Sequence, residues 1–154
     1  MKEYIKCIRE KIGHDLLIMA GAGVLLHDGK RILLQKRRDN GKWSLHGGCI
    51  EVGEKPEDTA ARELFEETGL AAQKLELYGV FAGENTFYTY PNGDQVYVIS
   101  CIYTCCDFTG EMTSQTEETT DLQWFEANEI TQELINPCDR EPILKFAAYL
   151  AGKN

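Results

Sequence analysis

Between residues 47 and 70 the chain reads GGCIEVGEKPEDTAARELFEETGL, and within it Glu63, Glu66 and Glu67 crowd into one short stretch with no lysine among them. On a helix, at about 100° per residue, the three carboxylates share an arc of about 100°. Their like-charge neighbours at i,i+3 and i,i+4 cost about 0.2–0.5 kcal/mol each when exposed. That is small enough for a solvated acidic face. The same crowding is what a hard divalent cation turns into a binding site, since Mg²⁺ takes carboxylate oxygens in octahedral geometry and keeps waters and substrate phosphates as its other ligands. Spacing alone leaves both readings open.

The elements that must position these carboxylates follow from local chemistry. Pro56 suits a first helical turn, Glu57 and Asp58 suit the positive end of the helix dipole, and Gly69 suits a C-terminal stop, so a helix is predicted over Pro56–Thr68. Ala60, Ala61, Leu64, Phe65 and Thr68 are expected on its core side, with the three glutamates opposite. Upstream, Tyr4, Ile5, Ile8 and Ile12 fall at helical spacing and predict a short N-terminal helix over 3–12. A β-type run over 16–26, a turn at HDGK and the run RILLQKR read as a hairpin. Downstream come KLELYGVFAG, then FYTYPNGDQVYVISCIYTCC with a tight-turn signal at Asn92-Gly93, then DLQWFEA, a loop through ANEI and Pro137, and a last helix over about 141–151. This order predicts an α+β or α/β/α layered domain with a mostly mixed sheet.

The bulk numbers bound the function. With 154 residues the chain is expected to form a single domain, 1–154, with 1–15 as a helical extension. No apolar run reaches the length of about 18 residues that a membrane span needs, and the charged start MKEYIKCIREKIG is unlike an export signal, so a cytoplasmic location away from membranes is expected. The six cysteines include no CxxC pair and are expected to be reduced, small buried fillers. A formal net charge of −9 argues against nucleic-acid polymers as partners, whose binding rests on Lys and Arg. It admits a small phosphorylated substrate where a divalent cation stands between the charges.

The longer pattern resembles a known family. Gly48, Glu54 and the run Arg62-Glu63-Leu64-Phe65-Glu66-Glu67-Thr68-Gly69-Leu70 match the Nudix box, G-x5-E-x7-R-E-U-x-E-E-x-G-U with U apolar, at every specified position. The flanking LLQKR, WSLHGG and WFEANEI also look like the usual surroundings of that box, so the resemblance covers roughly residues 20–130.

The resemblance implies an α/β fold, a Nudix α/β/α sandwich with a mixed β-sheet, here with a short N-terminal helix added. It implies Mg²⁺-dependent hydrolysis, with Mn²⁺ as an alternative cation, of the pyrophosphate linkage in a nucleoside diphosphate linked to a group X. ADP-ribose and nucleoside triphosphates are substrates of that class. Cations suit this chemistry because they screen the phosphate charge and activate the attacking water.

By resemblance, Glu63 and Glu67 are the principal metal ligands, with Glu66 and the Gly47 carbonyl as further ones. Arg62 would pin the glutamates by salt bridges, and Glu54 would hold the loop against the helix. The general base falls to Glu63 or Glu66, or else to Glu117 or Glu118 in the later SQTEETTD loop.

His46 stands where the family commonly has proline, which removes a φ restraint and brings an imidazole near the phosphates as a candidate substrate contact. Lys36, Arg37 and Arg38 leave the second predicted strand towards the same end, with Arg37 and Arg38 as candidate phosphate contacts. Trp43, Phe87, Tyr88, Tyr90 and Trp124 are candidates for stacking on a base or for ordinary packing. The alternative reading is a non-catalytic Nudix domain, a nucleotide sensor or protein-interaction module, which the complete glutamate set disfavours. The apolar stripe of the N-terminal helix offers a face for a second subunit, as in a homodimer.

Overall fold

The computed structural model describes residues 2–113 and 119–152. Along them run α1 (Lys2–Ile12), β1 (Leu17–His27), β2 (Arg31–Arg37), β3 (Trp43–Ser44), β4 (His46–Cys49) and α2 (Pro56–Thr68), followed by β5 (Ala71–Phe81), β6 (Phe87–Thr89), β7 (Gln95–Thr109), β8 (Thr119–Glu126) and α3 (Arg140–Gly152). All eight strands join one open sheet in the order β3-β2-β1-β7-β5, with β4 attached to β1, β6 to β7 and β8 to β2. β1 and β7 run parallel from Leu17↔Val96 to Leu26↔Cys105, whereas the other pairings are antiparallel, so the sheet is mixed.

The unbroken apolar runs VLL in β1 and ILL in β2 are what a strand covered on both faces needs. Ala22, Val24, Leu26 and Leu33 pack with Ala60 and Leu64 of α2 on one face. Leu25, Ile32 and Leu34 pack with Ile143, Phe146 and Leu150 of α3 on the other. The result is the three-layered α/β/α sandwich. Trp43 is buried in the α3-side core, its ring 4.9 Å from that of Phe125.

Two features depart from the sequence reading. β1 and β2 pair as a hairpin only next to their turn, at Leu26↔Leu33 and His27↔Ile32. They then splay, and the segment 43–49 crosses the fork, first as β3 on β2 and then as β4 on β1. Gly23 permits that approach, since a Cβ there would stand 2.9 Å from the His46 carbonyl oxygen. The cysteines are also not uniform fillers: Cys105 is buried, but Cys7 and Cys106 are exposed, and Cys49, Cys101 and Cys138 are intermediate.

α1 is tied to the β6–β7 turn, because Arg9 donates to the Gln95 carbonyl at 2.8 Å and His14 bonds Asp94 at 2.8 Å. Among the described residues no helix is long and apolar enough to cross a membrane.

Candidate active site

α2 begins and ends as its sequence dictates. Pro56 occupies the first turn, and Gly69 adopts the left-handed conformation at φ 79°, its N–H closing on the Phe65 carbonyl at 2.8 Å. Its rotation differs from the expectation. Phe65 is 58% exposed, while Thr59 and Glu67 are buried alongside Ala60, Leu64 and Thr68. A carboxylate takes a core-side position because it is hydrogen-bonded there. Gln35 Nε2 of β2 donates to Glu67 Oε1 at 2.6 Å, and the Gly47 N–H of β4 is shared between both Glu67 oxygens at 3.2 Å each.

Arg62 gathers the other acids. Its Nε donates to Glu54 Oε2 at 2.8 Å and Nη2 to Glu54 Oε1 at 3.0 Å, a bidentate pair. Its Nη1 donates to Glu63 Oε1 at 3.0 Å and to Glu66 Oε1 at 3.3 Å. Glu54 also accepts from the Thr59 hydroxyl at 2.6 Å and the Glu51 N–H at 3.1 Å, which ties the 49–55 loop to the helix start. The Arg62 hydrogen bond, followed by that of Thr59, holds the Glu54 carboxyl at about 2, well below its ordinary range. In return Glu54 raises the Arg62 guanidinium further above its already high value.

The residues fit a hard cation in the chemistry of their donors. Glu63 lies directly against the backbone of Gly48, where any Cβ would overlap its carboxylate. Only glycine lets the helix carboxylate rest on the peptide groups of the loop. Glu63, Glu66, Glu67 and the nearby peptide carbonyls offer oxygen alone, the donor type that Mg²⁺ and Mn²⁺ select. Among the described residues no three His, Cys, Asp or Glu side chains are placed so that together they could hold a metal ion. A cation that keeps waters and substrate phosphates among its ligands does not require such a group.

Other expected contacts fall elsewhere. His46 is fully buried with its Nε2 2.9 Å from the Leu33 carbonyl, so its imidazole faces the sheet interior and not a phosphate. Burial pushes its pKa down to about 4, against the opposing pull of that carbonyl. Arg37 is engaged by Asp39 through Nε at 2.9 Å and Nη2 at 2.7 Å, and Tyr88 donates its hydroxyl to Asp39 at 3.1 Å. The Arg37 guanidinium also stands 5.9 Å from the centre of the Tyr88 ring. Burial would lower the Arg37 pKa, but the bond and charge of Asp39 outweigh it, so Arg37 stays charged. Arg38 is exposed just beyond β2. Glu117 and Glu118 lie outside the described residues.

Two groups at this end were not foreseen. Gln35 gave no signal, since it directly follows the apolar run ILL of β2 and precedes Lys36 and Arg37. Asp139 gave none either. Burial pushes its carboxyl up to about 6, opposed by the Arg37 charge and by hydrogen bonds from the Asn136 side chain and the Leu45 N–H. Leu45 is thus a link: its N–H meets Asp139, and its carbonyl accepts from Gln35 at 3.1 Å.

The NUDIX domain family matches residues 17–146. The nucleoside triphosphatase NudI of Escherichia fergusonii is 30% identical over 128 residues, covering 78% of this chain and 89% of that protein. An ADP-ribose pyrophosphatase of Methanocaldococcus jannaschii is 32% identical over 135 residues, covering 86% of this chain and 72% of that one. The crystal structure of a MutT NUDIX hydrolase from Burkholderia pseudomallei shares the fold with a TM-score of 0.68 at 25% identity, over 87% of this chain and 98% of the other. Because the match runs from β1 into α3 and takes in the acidic helix with the loop it faces, the chain belongs to the Nudix family and is a pyrophosphohydrolase.

Proposed function

We propose that this pyrophosphohydrolase cleaves a small nucleoside diphosphate linked to a second group X, with Mg²⁺ or Mn²⁺ held by Glu63, Glu66, Glu67 and the Gly47 carbonyl. The observation that carries the reading is the concentration of acid at one loop–helix junction, where Arg62 gathers Glu54, Glu63 and Glu66 while Gly47 and Gln35 hold Glu67. When bound, the cation would screen the phosphate charge and lower the pKa of the attacking water.

The protein's own groups supply the rest. Arg62 holds Glu63 and Glu66 at fixed separation on one fork, so their repulsion does not splay them into solvent. Glu66, with a side chain 55% exposed, takes the proton of the attacking water, with Glu63 as the alternative base. The water oxygen bonds to one phosphorus of the anhydride as that phosphorus loses its bond to the bridging oxygen, and the other phosphoryl group leaves carrying the bridging oxygen. The base or group X lies towards Tyr88 and Tyr90, whose rings stand edge to face 4.9 Å apart beside the Arg37–Asp39 pair.

The names of the relatives select the first substrates to try: nucleoside triphosphates and ADP-ribose, followed by other nucleotide sugars and dinucleoside polyphosphates. Turnover of at least one in the presence of Mg²⁺ is expected, with a loss of at least ~100-fold in Glu67→Gln, the order seen when electrostatic stabilisation of a transition state is removed. Unchanged turnover in that variant would reject the metal assignment.

A further inference from the structure

Gln35 and Glu67 are each 8% exposed, and apolar packing gives no reason for a buried amide at the end of the ILL run of β2. Both hydrogens of the Gln35 amino group have acceptors, Glu67 Oε1 at 2.6 Å and the Leu45 carbonyl at 3.1 Å. Because both partners are acceptors, the amino group and not the amide oxygen must face them. The bond to Glu67 is short for an N–H···O contact, as expected when the acceptor is charged. One side chain therefore joins the helix carboxylate to the segment that carries Gly47, two residues beyond Leu45.

The type of donor matters. A Lys or Arg at position 35 would hold Glu67 as firmly but would set a positive charge beside the ion to be bound. A neutral amide orients the carboxylate without that repulsion. We infer that Gln35 is a positioning residue for the cation: its amide presets the Glu67 carboxylate, and the spacing of Glu67 from the Gly47 loop, for metal binding before substrate arrives. This rests on the cation site proposed above. Partners of this kind around metal ligands change metal affinity by about 10- to 100-fold when removed.

The test is Mn²⁺ binding to the full chain without substrate, read by the electron paramagnetic resonance signal of free Mn²⁺, alongside the melting temperature in EDTA. Gln35→Met keeps the length and removes the donor; Gln35→Asn is the milder variant should the first fail to fold, since it keeps an amide but withdraws it by one methylene. The expected result is Mn²⁺ affinity weakened by about 10- to 100-fold. The Mg²⁺ concentration for half-maximal activity should rise by the same factor, with the substrate KM at saturating Mg²⁺ little changed. Unchanged Mn²⁺ affinity, with or without a lower melting temperature, would make the bond merely structural and overturn the inference. If Glu67→Gln loses Mn²⁺ and the Gln35 variants do not, the cation site stands and this role falls. If the wild type itself binds no Mn²⁺, both fall together.

Discussion

His46 Nε2 stands 2.9 Å from the Leu33 carbonyl oxygen, in the fork where β1 and β2 part. The imidazole supplies the N–H that a neighbouring strand would have given, and being buried and neutral it does so without a charge. His46→Ala is therefore expected to orphan a buried carbonyl and destabilise the fold by about 1–3 kcal/mol, with further loss from the cavity. Urea unfolding measures that loss. The substrate KM of the folded variant should hardly move, whereas a phosphate contact would raise it about tenfold for each 1.4 kcal/mol removed.

Gly48→Ala tests the opposite kind of position. The new methyl would overlap the Glu63 carboxylate, so that side chain must leave its place on the loop. A displacement on the order of 1 Å in a catalytic group lowers turnover by about 100-fold. The expected result is that order of loss in kcat with a melting temperature near that of the wild type; unchanged kcat would mean that the closeness of Glu63 to the loop is catalytically idle.

Glu54→Gln addresses the ion pair with Arg62. The folded carboxyl titrates at about 2, below the ordinary value of 4.5, so its contribution to stability is full above about 4.5 and is lost as the pH falls towards 2. Melting temperatures between pH 7 and 2.5 should show the wild type ahead at neutral pH and the gap closing with acid. A gap that persists unchanged at pH 2.5 would contradict the pairing.

Asp139→Asn should behave in the reverse sense. Burial raises the folded carboxyl from 3.8 to about 6, so the native state binds a proton more tightly than the unfolded chain, and stability falls as the pH rises from about 4 to 6. The variant keeps an acceptor for the Leu45 N–H and carries no charge. It is expected to melt with the wild type near pH 4 and above it from pH 6 upward; a lower melting temperature at pH 7 would mean that the ionised form is stabilised in place.

Much of this arrangement was legible in the residues. Pro56 and Gly69 mark the ends of α2 because their dihedral restrictions are local, and the apolar runs of β1 and β2 announce a sheet covered on both faces. The rotation of α2 was not legible. Periodicity treats Phe65 as core and Glu67 as surface, yet hydrogen bonds from Gln35 and Gly47 hold Glu67 inside and leave Phe65 outside. His46 misled for a similar reason: its place next to the glycines suggests phosphates, but the strand fork it fills is created by the parting of Leu26 and Leu33 on two other strands and is invisible locally. Asp139 depends on the meeting of Leu45, Asn136 and Arg37, which no spacing reveals.

The most direct test of the cation site is an anomalous difference map from crystals soaked in Mn²⁺. The expected result is a peak bounded by the Glu63, Glu66 and Glu67 carboxylates and the Gly47 carbonyl, lost in Glu67→Gln. A bound ion elsewhere, or none at a concentration that supports turnover, would contradict it.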